Sequence, residues 1–196
     1  MPVLRDMGKW NKENGRFPGK AMYYKNEDAV EKVIRYITRT RWNESQGNEL
    51  IGYGGAGVSI GAPVEVLIGE FVKVQKIYNI TQGRRIIHEV YSLADNDFEL
   101  LNKDYALVDL LGRQLSAYYF ALGYQVVYAV HWDMSKHVHI HIATNTVNFR
   151  TYKKFHSGGE DFKQRIAIFK KIFGDIVNLA QSNGPKRVVS PINFIA

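Results

Sequence analysis

From Asn26 onward the apolar positions recur at helical spacing. Val30, Val33, Ile34 and Ile37 form one stripe, Asn26 is placed to cap it, Glu27 and Asp28 suit a first turn, and Arg35, Arg39 and Arg41 follow as a basic run. Pro63 opens a second predicted helix that runs to about Tyr78, and Arg84 to Leu93 (RRIIHEVYSL) reads as a strand. Leu100, Leu101, Leu107, Leu110, Leu111 and Leu115 give one apolar face to a long helix from about Phe98 to Ala121, with Gly123 as its stop. Strands Tyr124 to His131 and His137 to Val147 are separated only by Trp132 to Lys136, which predicts an antiparallel hairpin. Thr151 to Phe155 is expected to extend the sheet, Gly158 and Gly159 to break it, and Asp161 to Gln181 to form a last amphipathic helix. Gly52 to Gly61 (GYGGAGVSIG) lacks the Lys-Ser/Thr ending of a phosphate loop and reads as a flexible loop. Helices alternating with antiparallel strands predict an α+β sandwich, one central sheet flanked by helices.

The hairpin also carries the chemistry. His131, His137, His139 and His141 fall within the string H-W-D-M-S-K-H-V-H-I-H-I-A-T-N, four of the six histidines of the chain. With a period of two, residues 137, 139, 141, 143 and 145 share one face of the strand while Val138, Ile140, Ile142 and Thr144 share the other. One face can bury against helices while the other presents imidazoles. His139 and His141, about 7 Å apart by backbone rise, can converge on one ion, and His131 can join them from the preceding strand as a third nitrogen. His137 remains an alternative third ligand or a nucleic-acid contact. Asp133 is placed to accept a proton from a ligand histidine and fix its tautomer, and Asn145 continues the histidine face as a supporting residue. Among twelve tyrosines, Tyr36 stands just off the first apolar stripe with Arg35, Arg39 and Arg41 nearby. Positive charge there holds phosphates close and offsets negative charge on a reacting oxygen. Tyr23 and Tyr24 are the other nucleophile candidates.

Composition narrows the classes. A hydrophobic fraction of 45% and a charged fraction of 23% are those of an ordinary globular protein, and no run approaches eighteen apolar residues. No export signal or membrane insertion is expected, and a cytoplasmic protein is. Zero cysteines excludes disulfides, thiolate metal sites and cysteine nucleophiles, so any metal here takes nitrogen and oxygen ligands. A net charge of +7 and a pI near 9.5 favour a polyanionic partner. Residues 1–20, with Arg5, Lys9, Lys12, Arg16 and Lys20, read as a basic arm ahead of one domain spanning 21–196. The tail from Lys186 to Ile195 is expected to lead into a further region of a longer protein.

His131, Asp133, His139, His141 and Asn145, in V-H-W-D-M-S-K-H-V-H-I-H-I-A-T-N-T-V, resemble the metal-binding third motif of conjugative relaxases. These mobilization proteins are the DNA-transfer branch of the histidine-hydrophobic-histidine (HUH) endonucleases, and the similarity is strongest to the N-terminal relaxase domain of MobP-type enzymes. V-I-R-Y-I-T resembles the first motif, which maps the nucleophile to Tyr36, and I-I-H-E-V-Y-S-L resembles the strand before the long helix, placing His88 near the core of the site. The resemblance covers roughly residues 25–150. It implies an HUH-type sandwich and a divalent ion, Mg²⁺ or Mn²⁺, on the scissile phosphate of single-stranded origin-of-transfer DNA. It also implies attack by Tyr36 to leave a 5′-phosphotyrosine and a free 3′-hydroxyl, with accessory relaxosome and coupling proteins as partners. Arg35, Arg39, Arg41, Arg84, Arg85, Lys136, Arg150, Lys153 and Lys154 are the expected phosphate contacts. Two other readings compete: a histidine-triad nucleotide hydrolase or transferase, and an origin-DNA-binding module without catalysis.

Overall fold

The central strand of the sheet is the one that carries the alternating histidines. The structure is a computed structural model and describes residues 2–7, 24–39, 48–133, 138–156 and 158–182. In chain order its elements are β1 (Val3–Asp6), α1 (Ala29–Ile37), β2 (Asn48–Ala56), α2 (Val64–Ile77), β3 (Ile86–Ser92), α3 (Asp95–Leu100), α4 (Tyr105–Ala121), β4 (Val126–Asp133), β5 (His139–Asn145) and α5 (Gly159–Ser182). The strands form one five-stranded sheet in the order β1-β3-β5-β4-β2, antiparallel throughout. This is the predicted α+β architecture, with β5 flanked by β3 and β4.

Alternation along β5 sorts the two faces. Ile140 and Ile142 join Tyr91, Val126, Tyr128 and Val130 in a core covered by Leu111 and Leu115 of α4 and Phe169 and Phe173 of α5. Ala143 joins Ile86, Val127 and Ala129 in a second core under Val30, Ile34 and Ile37 of α1 and Leu67 and Phe71 of α2. The histidine face lies on this second side. At nine residues α1 is too short to be stable alone, so its place is set by its buried stripe, where each fully buried Val or Ile contributes roughly 1.5–3 kcal/mol. Arg165 of α5 donates to Glu89 of β3 at 3.2 Å, and the Tyr119 hydroxyl donates to the same carboxylate, which pins α5 across the face opposite the histidines.

Four expectations are corrected. The glycine-rich stretch is not a flexible loop through its first half: Asn48–Ala56 is edge strand β2, paired along β4 with a bulge between Leu50 and Gly52. The long helix is broken into α3 and α4, because Asn102 and Lys103 adopt left-handed backbone (φ 56° and 53°) and the Asp104 side chain caps a new start by accepting from the Ala106 N–H at 2.8 Å. Thr151 to Phe155 contributes only an isolated bridge, Val147 with Lys154. Val3–Asp6, in the expected arm, forms edge strand β1 against β3. Most of the remaining arm and the C-terminal tail lie outside the described residues, and no described helix is long and apolar enough to cross a membrane.

The Tyr128 ring fills the space between β2 and α4. A Cβ built on Gly112 would fall 2.5 Å from that ring and one on Gly54 2.6 Å from it, while its hydroxyl donates to Asp109 at 2.7 Å. Gly112→Val is therefore expected to destabilise the fold by about 1–3 kcal/mol through overpacking, read as a lower urea midpoint at unchanged slope. A midpoint equal to that of the wild type would contradict this packing.

A candidate metal centre beneath the first helix

Antiparallel register brings the histidines together. His131 of β4 stands directly opposite His139 of β5, and His141 follows two residues on, on the same face. One ligand nitrogen from each of the three lies within 4.8 Å of the others, and the ring centroids are 4.6–5.5 Å apart. His131 and His141 are buried and His139 is half-buried. His137, Lys136 and Arg41 lie outside the described residues. Asp133 ends β4, paired with Asn48.

His131 and His141 are each held by a hydrogen-bond partner. Nε2 of His131 donates to the carbonyl of Ile37 at 2.6 Å, which ties this imidazole to the last residue of α1 and leaves Nδ1 as the nitrogen bearing a lone pair. Nδ1 of His141 lies 2.9 Å from Nε2 of His88, and Nδ1 of His88 lies 2.8 Å from the hydroxyl of Tyr24. Nε2 of His141 is buried and has no hydrogen-bond partner among the described residues. Such a nitrogen costs about 1–3 kcal/mol, a penalty that a cation accepting its lone pair would remove. Three converging imidazoles, one with an orphaned buried nitrogen, fit a divalent ion.

Burial keeps His88, His131 and His141 neutral. It pushes His88 down to about 3, aided by Arg84, and His131 down to about 4 against the opposing pull of the Ile37 carbonyl. Burial and the neighbouring His88 hold His141 well below the usual histidine range. Below about pH 6.5 the unfolded chain binds protons that these folded histidines refuse, so stability is full above that pH and is lost as pH falls toward 4. The loss approaches about 1.4 kcal/mol per pH unit for each such histidine. The metal-free protein is expected to melt at a steady temperature above pH 7 and at a steeply falling one from pH 6.5 to 4. A flat melting profile across that range would contradict these buried neutral histidines.

Tyr36 stands over this cluster. Its ring is 43% exposed, edge-on to His141 at 5.4 Å and to His88 at 6.0 Å, and the Arg39 guanidinium lies 4.5 Å from its centroid. Helix α1 aims it there: Ile34 and Ile37 are fully buried, so Tyr36 sits at the margin of their stripe. Thr38 then ends the helix by donating from its N–H and its hydroxyl to the carbonyl of Ile34, and Arg39 folds back over the ring.

The other expected residues are scattered. Asn145 and Arg85 lie on the histidine face but at the far end of β5 and β3, in a closed network. There Gln75 donates to Asn145 at 3.0 Å, Arg85 to Gln75 at 2.9 Å, and Asn145 to Gln125 at 2.8 Å and to the Phe71 carbonyl at 3.1 Å. Both are buried, and their polar groups are spent on the fold. Arg84 makes a bidentate pair with buried Asp6 at 2.7 and 3.1 Å. Arg35 pairs with Glu31 and Glu65, each at 2.9 Å. Arg150, Lys153 and Lys154 follow β5 beyond Asn145, at that same far end and away from the histidines. Sequence reasoning missed the Ile37 carbonyl and the Tyr24–His88 contact. The latter joins residues 64 positions apart, and no local spacing signals it.

An antiparallel sheet whose central hairpin converges three imidazoles beneath a tyrosine-bearing helix defines a class: an α+β domain built around a three-histidine group that could hold a metal ion. Residues 36–174 match the model of the MobA/VirD2-like relaxase nuclease domain, and the chain belongs to that family. Its members are enzymes that nick DNA for mobilization. Comparison with curated proteins and with solved structures gives no match.

Proposed function

We propose that this chain cuts and rejoins one strand of origin-of-transfer DNA, with Tyr36 as nucleophile and His131, His139 and His141 as metal ligands. The observation that carries the reading is the placement of the Tyr36 ring 5.4 Å from that of His141, beside a buried nitrogen with no partner among the described residues. The Tyr36 oxygen attacks the scissile phosphorus, its proton passes to a base, the bond from phosphorus to the 3′-oxygen breaks, and that oxygen leaves as a hydroxyl. A 5′-phosphotyrosine remains. One phosphodiester is exchanged for another, so the 3′-hydroxyl can attack in turn and reseal the strand. A divalent ion bound by the three imidazoles would polarise the phosphoryl oxygen and offset the charge that develops on it. Imidazole donors bind later divalent metals more tightly than Mg²⁺, so Mn²⁺ is the better fit of the two ions considered. Arg39, whose guanidinium lies 4.5 Å from the Tyr36 ring centroid, is assigned to the phosphate. Asp133 is assigned to orient a ligand histidine.

A strand lying along a basic surface and a small nucleotide in a pocket differ in salt dependence. Fluorescence anisotropy over a salt series is expected to give tight binding to a strand of roughly 20–30 nucleotides, falling with a log-log slope of about −0.7 per phosphate contacted. AMP should compete weakly. Equal affinity for AMP and the strand would overturn the relaxase reading in favour of a small-nucleotide enzyme.

A further inference from the structure

Behind the ligand ring of His141 runs a chain of hydrogen bonds that the nicking step itself does not use. It passes from His141 Nδ1 to His88 Nε2 at 2.9 Å and from His88 Nδ1 to the Tyr24 hydroxyl at 2.8 Å. Tyr24 is fixed in turn. The Arg84 guanidinium lies 5.5 Å from its ring centroid, and Arg84 is anchored by its bidentate pair with Asp6 and by donating from Nε to the Ile86 carbonyl at 3.0 Å. Burial pushes the Tyr24 hydroxyl up to about 12, so it keeps its proton.

A neutral imidazole carries one N–H and one lone pair, so the chain can run in only two directions. In the first, Tyr24 O–H donates to His88 Nδ1 and His88 Nε2–H donates to His141 Nδ1. The proton of His141 then sits on Nε2, where it blocks metal binding and meets no acceptor among the described residues. In the second, His141 Nδ1–H donates to His88 Nε2, His88 Nδ1–H donates to the Tyr24 oxygen, and Nε2 of His141 presents a lone pair. The same atoms and distances serve both directions. A carboxylate at position 88 would accept in either case and impose the second direction by itself. A histidine needs a further acceptor behind it.

We propose that Tyr24 and His88 are positioning residues that select the metal-binding tautomer of His141, the Tyr24 oxygen acting as the acceptor that keeps the proton of His88 on Nδ1. This rests on the metal reading of the site given above. Without that acceptor a buried Nδ1–H on His88 loses its partner, and the balance moves toward the direction that protonates His141 at Nε2. Tyr24→Phe thus weakens the metal site from two rings away, touching neither ion nor DNA.

Titration calorimetry with Mn²⁺ on the metal-free chain tests this. Tyr24→Phe is expected to weaken binding about 10- to 100-fold, the usual range for a lost partner of a ligand, with melting of the metal-free protein close to that of the wild type. In a His88→Leu background the same substitution should change affinity less than twofold, since its route is gone. A merely structural role for Tyr24 would weaken both backgrounds alike. Independently of any variant, long-range ¹⁵N–¹H spectra of the Zn²⁺-loaded wild type should place the His88 proton on Nδ1. A proton on Nε2 overturns the proposal, as does equal Mn²⁺ affinity in wild type and Tyr24→Phe. Failure of the wild type to take up either ion would overturn the metal reading itself, and this inference with it.

Discussion

Tyr36→Phe is expected to abolish strand cleavage and covalent adduct formation, a loss of at least about 10³-fold, while binding of single-stranded DNA stays within a few-fold of wild type. The substitution removes only the phenolic oxygen. The ring keeps its edge contacts with His88 and His141 and its place under Arg39, so the local packing of α1 is preserved. Cleavage on a denaturing gel and binding by anisotropy separate the two effects. An adduct that persists in Tyr36→Phe would move the nucleophile elsewhere. Tyr24 is a poor heir, since its hydroxyl is engaged with His88 and its ring is packed with Val30 and Ile34 in the second core.

The second large effect is expected at the ligands. His139→Ala or His141→Ala should weaken Mn²⁺ binding by roughly 100-fold or more, because an open three-nitrogen site that loses one ligand loses its facial geometry. The same calorimetry separates the two candidates for the third ligand. His131→Ala should match the loss at His139, since His131 stands opposite His139 in the register and its ring centroid lies 4.6 Å from that of His141. His137→Ala should leave affinity within a few-fold. The reverse pattern, with affinity lost at His137 and kept at His131, would contradict the ligand set.

What could be read from the sequence and what could not divide along a physical line. The hairpin was legible because successive side chains of a strand point to opposite faces, and Ile140 and Ile142 set against His139 and His141 leave one register. The α1 stripe was legible for the same kind of reason, and with it the place of Tyr36 at the stripe's margin. Strand β2 was not, because Gly52, Gly54 and Gly55 carry no strand propensity of their own. The strand exists through its ladder with β4, and Gly54 is glycine because the Tyr128 ring lies where a Cβ would be. The break between α3 and α4 was hidden by leucines that keep one apolar face on both sides of it. Arg84 and Arg85 read as phosphate contacts because the partners that hold them are distant in sequence. Asp6 is 78 positions from Arg84, and Gln75 approaches Arg85 only once α2 has packed against the sheet. The support behind His141 was invisible for that reason too: His88 could be placed near the site, but Tyr24 could be joined to it only in three dimensions.

A covalent bond between Tyr36 and DNA is the direct signature of the proposed reaction. The direct measurement is incubation of the chain with Mn²⁺ and short labelled single strands tiled across the DNA flanking its gene, followed by denaturing separation, intact mass and peptide mapping. The expected result is one strand cut at a single position, with its 5′-phosphate side bound to the peptide that contains Tyr36, a free 3′-hydroxyl on the other fragment, and no adduct when EDTA is present. Cleavage that releases both fragments free of protein, or an adduct mapped to a histidine, would contradict it.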